Sequence, residues 1–191
     1  MSLRPGEQIE LTIEKPAAGG RMIARHHGQI TLVYGAIPGE RVRARIERVE
    51  RQLAFAATLE VLDPSPDRAT TADGPVDLRC GGCLYAHVTY PRQVRLKGEV
   101  IEDAFGRIGR VPVAAPVAVE PSPGHAYRMR ARLHVSGARI GFYREGTHEL
   151  CDAGATRQLG DAAIAAAERT VRSLVQSGCP ISSLELTENI A

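Results

Sequence analysis

A cysteine pair and two runs of alternating arginines are the features of this 191-residue chain best suited to chemistry. Cys80-Gly81-Gly82-Cys83 sets two thiols on either side of a glycine turn. Thiolates so spaced can reach one metal ion or one cluster, and the glycines permit the tight turn. The same pair could do redox work instead. Cys151 and Cys179 complete the four cysteines, and taken singly they read as small buried hydrophobes. No secretory signal precedes the first charged strand pattern, so the four are not read as a disulfide scaffold and a cytoplasmic location is expected.

In Arg41-Val42-Arg43-Ala44-Arg45-Ile46 a strand period of two puts Arg41, Arg43 and Arg45 on one face and turns Val42, Ala44 and Ile46 inward. Side chains on one strand face recur at roughly 6–7 Å, comparable to the phosphate repeat along a nucleic-acid strand. Guanidinium forks match phosphate oxygens. Tyr127-Arg128-Met129-Arg130-Ala131-Arg132-Leu133 repeats the pattern with Arg128, Arg130 and Arg132. The competing reading is a solvated face whose arginines pair with Glu10, Glu47 or Glu50, and both readings stand at this point.

These side chains need elements to hold them. With 43% hydrophobic residues the chain can bury a real core, while a net charge of +2 gives no bulk signal for a nucleic-acid partner. No apolar run is long enough to span a membrane. Period-two alternation marks five short strands between residues 4 and 62, separated by glycine-rich turns, which predicts a small closed OB-like barrel. Residues 63–79, rich in Pro, Asp and Thr, read as a linker, and 80–191 as a small α+β domain. In that domain a helix is predicted over Thr89–Ile108 with Val94, Ile101, Phe105 and Ile108 on one stripe. A hairpin is predicted around Gly137, a helix over Asp161–Gln176 with Ile164, Val171, Leu174 and Val175 inward, and a final strand over Ile181–Leu186. The fold class is mainly β with α+β.

Gly6-Glu7, Gly19-Gly20, Ile37-Pro38-Gly39-Glu40-Arg41-Val42 and Pro64-Ser65-Pro66-Asp67-Arg68 together resemble a TRAM domain. With Cys80-Gly81-Gly82-Cys83, Gln93, Lys97, Tyr127-Arg128 and Gly141-Phe142-Tyr143 in that order, residues 4–160 resemble the front half of the RNA (uracil-5-)methyltransferases, in their 23S ribosomal RNA branch. That resemblance implies S-adenosylmethionine-dependent methylation of carbon 5 of a uridine. A catalytic cysteine adds to carbon 6, a glutamate helps remove the proton, and the base must be accessible outside its stack. It implies an RNA partner, 23S rRNA in this branch, and roles in RNA modification and rRNA processing.

No glycine-rich turn after a strand, no Asp-Pro-Pro-Arg segment and no cysteine in a nucleophile's context is found before Ala191. The chain is therefore expected to be truncated before the methyltransferase domain, to bind RNA and to be inactive alone. The alternative is a free-standing RNA-binding TRAM protein without catalysis.

The resemblance also implies a 4Fe–4S cluster on a cysteine, Cys-Gly-Gly-Cys and a fourth cysteine. Here the first position is Gly74 and the fourth Thr156, so Cys80 and Cys83 remain, with Cys151 five residues early. Three readings stay open: no cluster, a cluster or zinc on Cys80, Cys83, Cys151 and one further ligand such as His87, or a redox pair.

Overall fold

The computed structural model describes residues 3–70 and 77–188. Contacts divide the chain into two units, Met1–Thr70 with Tyr85–Glu120 and Thr71–Leu84 with Pro121–Ala191.

The first unit is built on the expected barrel. Strands β1 (Gln8–Pro16), β2 (Met22–His26), β3 (Gln29–Tyr34), β4 (Arg41–Glu50) and β5 (Leu53–Asp63) close in the order β1-β2-β3-β5-β4. All pairings are antiparallel except the parallel β3–β5 pair. Alternation does the sorting: Ile9, Leu11 and Ile13 of β1 and Val42, Ala44 and Ile46 of β4 turn inward and are buried. Register shifts against β5 fall between Arg41 and Val42, Arg43 and Ala44, and Ile46 and Arg48, the irregularity that lets a long strand coil around a small barrel.

The boundary between units differs from the expected linker at 63–79 and domain at 80–191. Val88 and Leu96 are buried in the barrel's own hydrophobic cluster, so residues 85–120 fold with the barrel. Helix α1 (Tyr90–Asp103) has Pro91 in its first turn, as expected, and continues through a wider π-type turn at Ala104–Gly109. The expected apolar stripe is a correction: Leu96 and Gly98 are the residues α1 buries, while Ile101, Phe105 and Ile108 are exposed. Their spacing satisfies a helix period, but they face away from the barrel end that Leu96 fills.

The second unit is an antiparallel sheet of order β8-β7-β6-β9, made of β6 (Arg130–Ser136), β7 (Arg139–Tyr143), β8 (Leu150–Asp152) and β9 (Ser183–Thr187). The hairpin turns at Gly137 as expected. Any Cβ on Gly141 would collide with the Cys151 carbonyl, so β7 and β8 can close up only around glycine. Helix α2 (Asp161–Gln176) has the expected bounds; of the expected stripe Val171 is buried, Ile164 and Leu174 are half-buried and Val175 is exposed, while Ala163 and Ala167 join Val171 as its buried residues. Small residues at a spacing of four hold the helix against the sheet.

Candidate nucleic-acid interface

The loop leading into β4 explains the most specific part of the sequence resemblance. Glu40 is fully buried. Its carboxylate accepts from the backbone N–H of Ile37 at 2.9 Å and of Ser65 at 3.1 Å. Arg68 completes it, with Nε at 2.7 Å from one oxygen and Nη2 at 2.6 Å from the other, and Nη2 also donates to the Gly35 carbonyl. A buried carboxylate is tolerable only when its lone pairs are met by a charge and by donors, and here they are. His87 adds a second fastening: its Nε2 lies 2.9 Å from the Ala36 carbonyl. Burial pushes its pKa down, so the ring is neutral and Nε2–H is the donor. His87 is thus a packing residue of the first unit.

The face formed by Arg41, Arg43 and Arg45 is present on β4 but is not a uniform row of cations. Arg41 pairs with Asp63 at 2.8 Å and Glu10 at 3.1 Å, and Arg43 pairs with Glu60 and Glu10. Cross-strand register sets this up, since Glu10 lies opposite Arg43 on β1 while Glu60 and Asp63 lie opposite Arg43 and Arg41 on β5. Asp63 raises the Arg41 pKa further, through a hydrogen bond and then through charge. Arg45 is exposed and has no carboxylate partner among the described residues.

The second run also divides. Arg128 lies before β6. Its Nη1 donates to Gln158 Oε1 at 2.6 Å, its Nε donates to the Arg130 carbonyl, and its guanidinium stands over the Phe142 ring. Gln158 is almost fully buried and donates on to the Gly81 carbonyl at 2.7 Å. Gly82, at φ 89°, passes so close to Gln158 that any Cβ would collide with it. Arg128 therefore braces the cysteine turn. Arg130 and Arg132 project from β6 into solvent; Glu185 lies opposite Arg132 on β9, and its exposed carboxylate pairs with Arg130 at 3.6 Å. On the same face His134 stacks on Tyr143 with centroids 3.7 Å apart.

The three cysteines read as metal ligands are brought together in a different way. Cys80 and Cys151 form a disulfide with Cα atoms 5.9 Å apart. A sulfur in a disulfide has no thiolate charge to offer a metal, so this arrangement does not fit a ligand set of Cys80, Cys83 and Cys151. Cys83 is a buried free thiol whose pKa is raised, first by burial and then by Asp77. Thr156, the fourth family position, spends its hydroxyl on the Ala153 carbonyl at 2.7 Å. Gly74 lies outside the described residues. No group of three or more His, Cys, Asp or Glu that could hold a metal occurs among the described residues. Cys179 is exposed and unpaired, where a buried hydrophobe was expected.

One surface the sequence reading missed lies on the outside of the barrel. Pairing registers align Ile23 of β2, Leu32 of β3, Phe55 of β5 and Arg48 of β4 in one row across the strands. All four face outward, and the Arg48 guanidinium lies 4.1 Å from the Phe55 ring centroid. Leu53-Ala54-Phe55-Ala56 is apolar throughout, so no alternation in the sequence marked Phe55 as outward. Nothing local marked Arg48 as its neighbour, because a register shift on β4 sets that pairing.

Residues 3–59 match the TRAM domain family. The chain thus contains a TRAM domain, which coincides with the barrel. It is homologous to proteins named RNA methyltransferase: an uncharacterized one of Halalkalibacterium halodurans is 34% identical over 152 residues that make up 75% of this chain and 32% of that protein. The 23S rRNA (uracil(1939)-C(5))-methyltransferase RlmD of Alkalilimnicola ehrlichii is 37% identical over 147 residues, 72% of this chain and 32% of that protein. The chain spans about a third of the length of these curated relatives. The crystal structure of Pyrococcus abyssi tRNA (uracil-54, C5)-methyltransferase in complex with S-adenosyl-L-homocysteine superposes with a TM-score of 0.63 at 21% identity, over 94% of this chain and 42% of that one. This last likeness establishes a shared fold.

Proposed function

We propose that this chain is the RNA-holding part of an S-adenosylmethionine-dependent RNA (uracil-C5-)methyltransferase acting on ribosomal RNA, and that methyl transfer is not carried by its described residues. The observation that carries the reading is the open face of the second unit's sheet. There Arg130 and Arg132 stand in solvent beside the stacked His134–Tyr143 pair, so cations for phosphate and rings for bases share one surface. Arg45 offers a further cation on the barrel. The relatives' names supply the reaction class and the ribosomal substrate. The cluster implied by the wider resemblance has no part in the proposal, because its ligand set does not fit.

The test is anisotropy titration of a labelled 23S rRNA fragment at several salt concentrations, alongside transfer of labelled methyl from S-adenosylmethionine. Expected are saturable binding that weakens with salt and no methyl transfer by the chain alone. Arg132→Ala takes away one cation facing a phosphate and should flatten the log–log salt slope by about one unit. No affinity for RNA at low salt would end the reading. Methyl transfer by this chain alone would overturn its division of labour.

A further inference from the structure

The geometry points to a single-stranded RNA platform on the outer face of the barrel, where a base stacks on the Arg48 guanidinium over Phe55. This rests on the RNA-holding reading and deepens it by naming the surface and the form of RNA. Arg48 is 61% exposed while it lies over Phe55, which leaves most of the side chain accessible to a ligand. A guanidinium is planar and weakly hydrated, and bases stack on such planes as they do on aromatic rings. Phe55 beneath it, flanked by half-buried Leu32 and Ile23, holds the group in place in advance. A second guanidinium, that of Arg21, lies 5.5 Å from the same ring.

Charge separates this face from the Arg41–Arg43 end of the barrel. Around Arg41 and Arg43, two guanidiniums meet three carboxylates, those of Glu10, Glu60 and Asp63. That end repels phosphate by one net charge. Around Phe55 the balance is reversed. Arg21 is paired with Glu47, Arg25 with Glu14 and Arg48 with Glu50, while Arg45 and Arg51 have no carboxylate partner among the described residues. Five cations stand against three anions, with Arg45 preceding Arg48 on β4 and Arg51 in the turn after it. A strand crossing Arg48 therefore finds an unneutralised cation on each side for its phosphates. Duplex RNA hides its base faces in the stack, so the platform takes single strands, loops or splayed bases.

The discriminating variant is Arg48→Lys, which keeps the charge and removes the plane. Anisotropy titrations use the whole chain with a labelled single-stranded 12-mer of mixed sequence, the same oligomer as a duplex, and a 12-mer with abasic sites. Expected is about a ten-fold loss of affinity for the single strand in Arg48→Lys, with the salt slope unchanged and the preference over the abasic oligomer abolished. Arg48→Ala should lose as much and also flatten the slope. Phe55→Leu, with its fold checked by thermal melting, should lose affinity by releasing Arg48. As a readout independent of stability, photocrosslinking to 5-iodouridine RNA should map to the β4–β5 peptides. If the wild type binds the single strand and Arg48→Lys binds it equally well, or crosslinks map elsewhere, the platform is overturned while the RNA-holding reading stands. If the wild type binds none of the three RNAs, both fall together.

Discussion

Two arginine–carboxylate pairings in the barrel unit share their chemistry and behave oppositely. Arg68 meets a fully buried Glu40 with two nitrogens, and that carboxylate also caps two backbone N–H groups. Arg41 meets Glu10 and Asp63 in open solvent. The first pairing closes the barrel's Gly35–Glu40 loop against the segment after β5. The second only sets the sign of a surface. The residues that make the sequence recognisable are thus mostly fasteners, while a pattern that looked like a binding row is in large part internally neutralised.

Arg68→Ala separates the two pairings most strongly. It leaves a buried carboxylate without its charge partner and should cost about 3–5 kcal/mol in chemical denaturation. Arg41→Ala should leave the denaturation midpoint where it was, since exposed pairs add little. If both variants lose equally, burial does not distinguish the two pairings. Next in size, Gly82→Ala should destabilise the second unit by roughly 1–3 kcal/mol, because a Cβ there is both strained at positive φ and driven into Gln158.

The His87 fastening makes a pH statement. The folded ring has a pKa below its ordinary value of 6.5, so below that pH the unfolded chain takes up a proton that the folded one resists. Stability should be full above pH of about 6.5 and fall as pH drops from there toward the folded pKa. Melting temperatures measured between neutral and mildly acid pH should show that decline in the wild type, and a shallower one in His87→Gln.

The smallest effect concerns the exposed pairs. Arg45→Ala should account for essentially all of the salt-slope change produced by the triple substitution of Arg41, Arg43 and Arg45, about one unit. Glu10→Gln should strengthen RNA binding slightly by unmasking Arg41 and Arg43. A triple variant that binds with unchanged affinity and slope would make the whole row a solvated face.

What the sequence made legible was periodic. Alternation placed the five barrel strands, the hairpin at Gly137 and the inward sides of β1 and β4, because a strand that buries one face must write that face into every second residue. Helix α2 was legible for the same reason, between a good N-terminal Asp161 and the breakers Gly178 and Pro180. Less legible was anything decided at long range. The apolar stripe at Ile101, Phe105 and Ile108 has a helix's period yet lies in solvent, since periodicity fixes an element and not its neighbour. The partners of Arg41 and Arg43 depended on strand register, and Arg48 met Phe55 through a shift that no local pattern announces. Cys80 and Cys151 stand 71 residues apart, and nothing in their spacing declared the bond.

The excursion of residues 85–120 into the barrel's company makes the second unit discontinuous along the chain, and the Cys80–Cys151 bond ties its two pieces across that gap. A protease that nicked the exposed stretch around Ile108 and Val111 would cut the backbone without freeing the halves. The fragments would travel together on a gel run without reductant and separate once the bond was opened. The barrel, for its part, cannot complete its core as its last strand leaves the ribosome at Asp63. It must wait for Val88 and Leu96, some thirty residues of synthesis later.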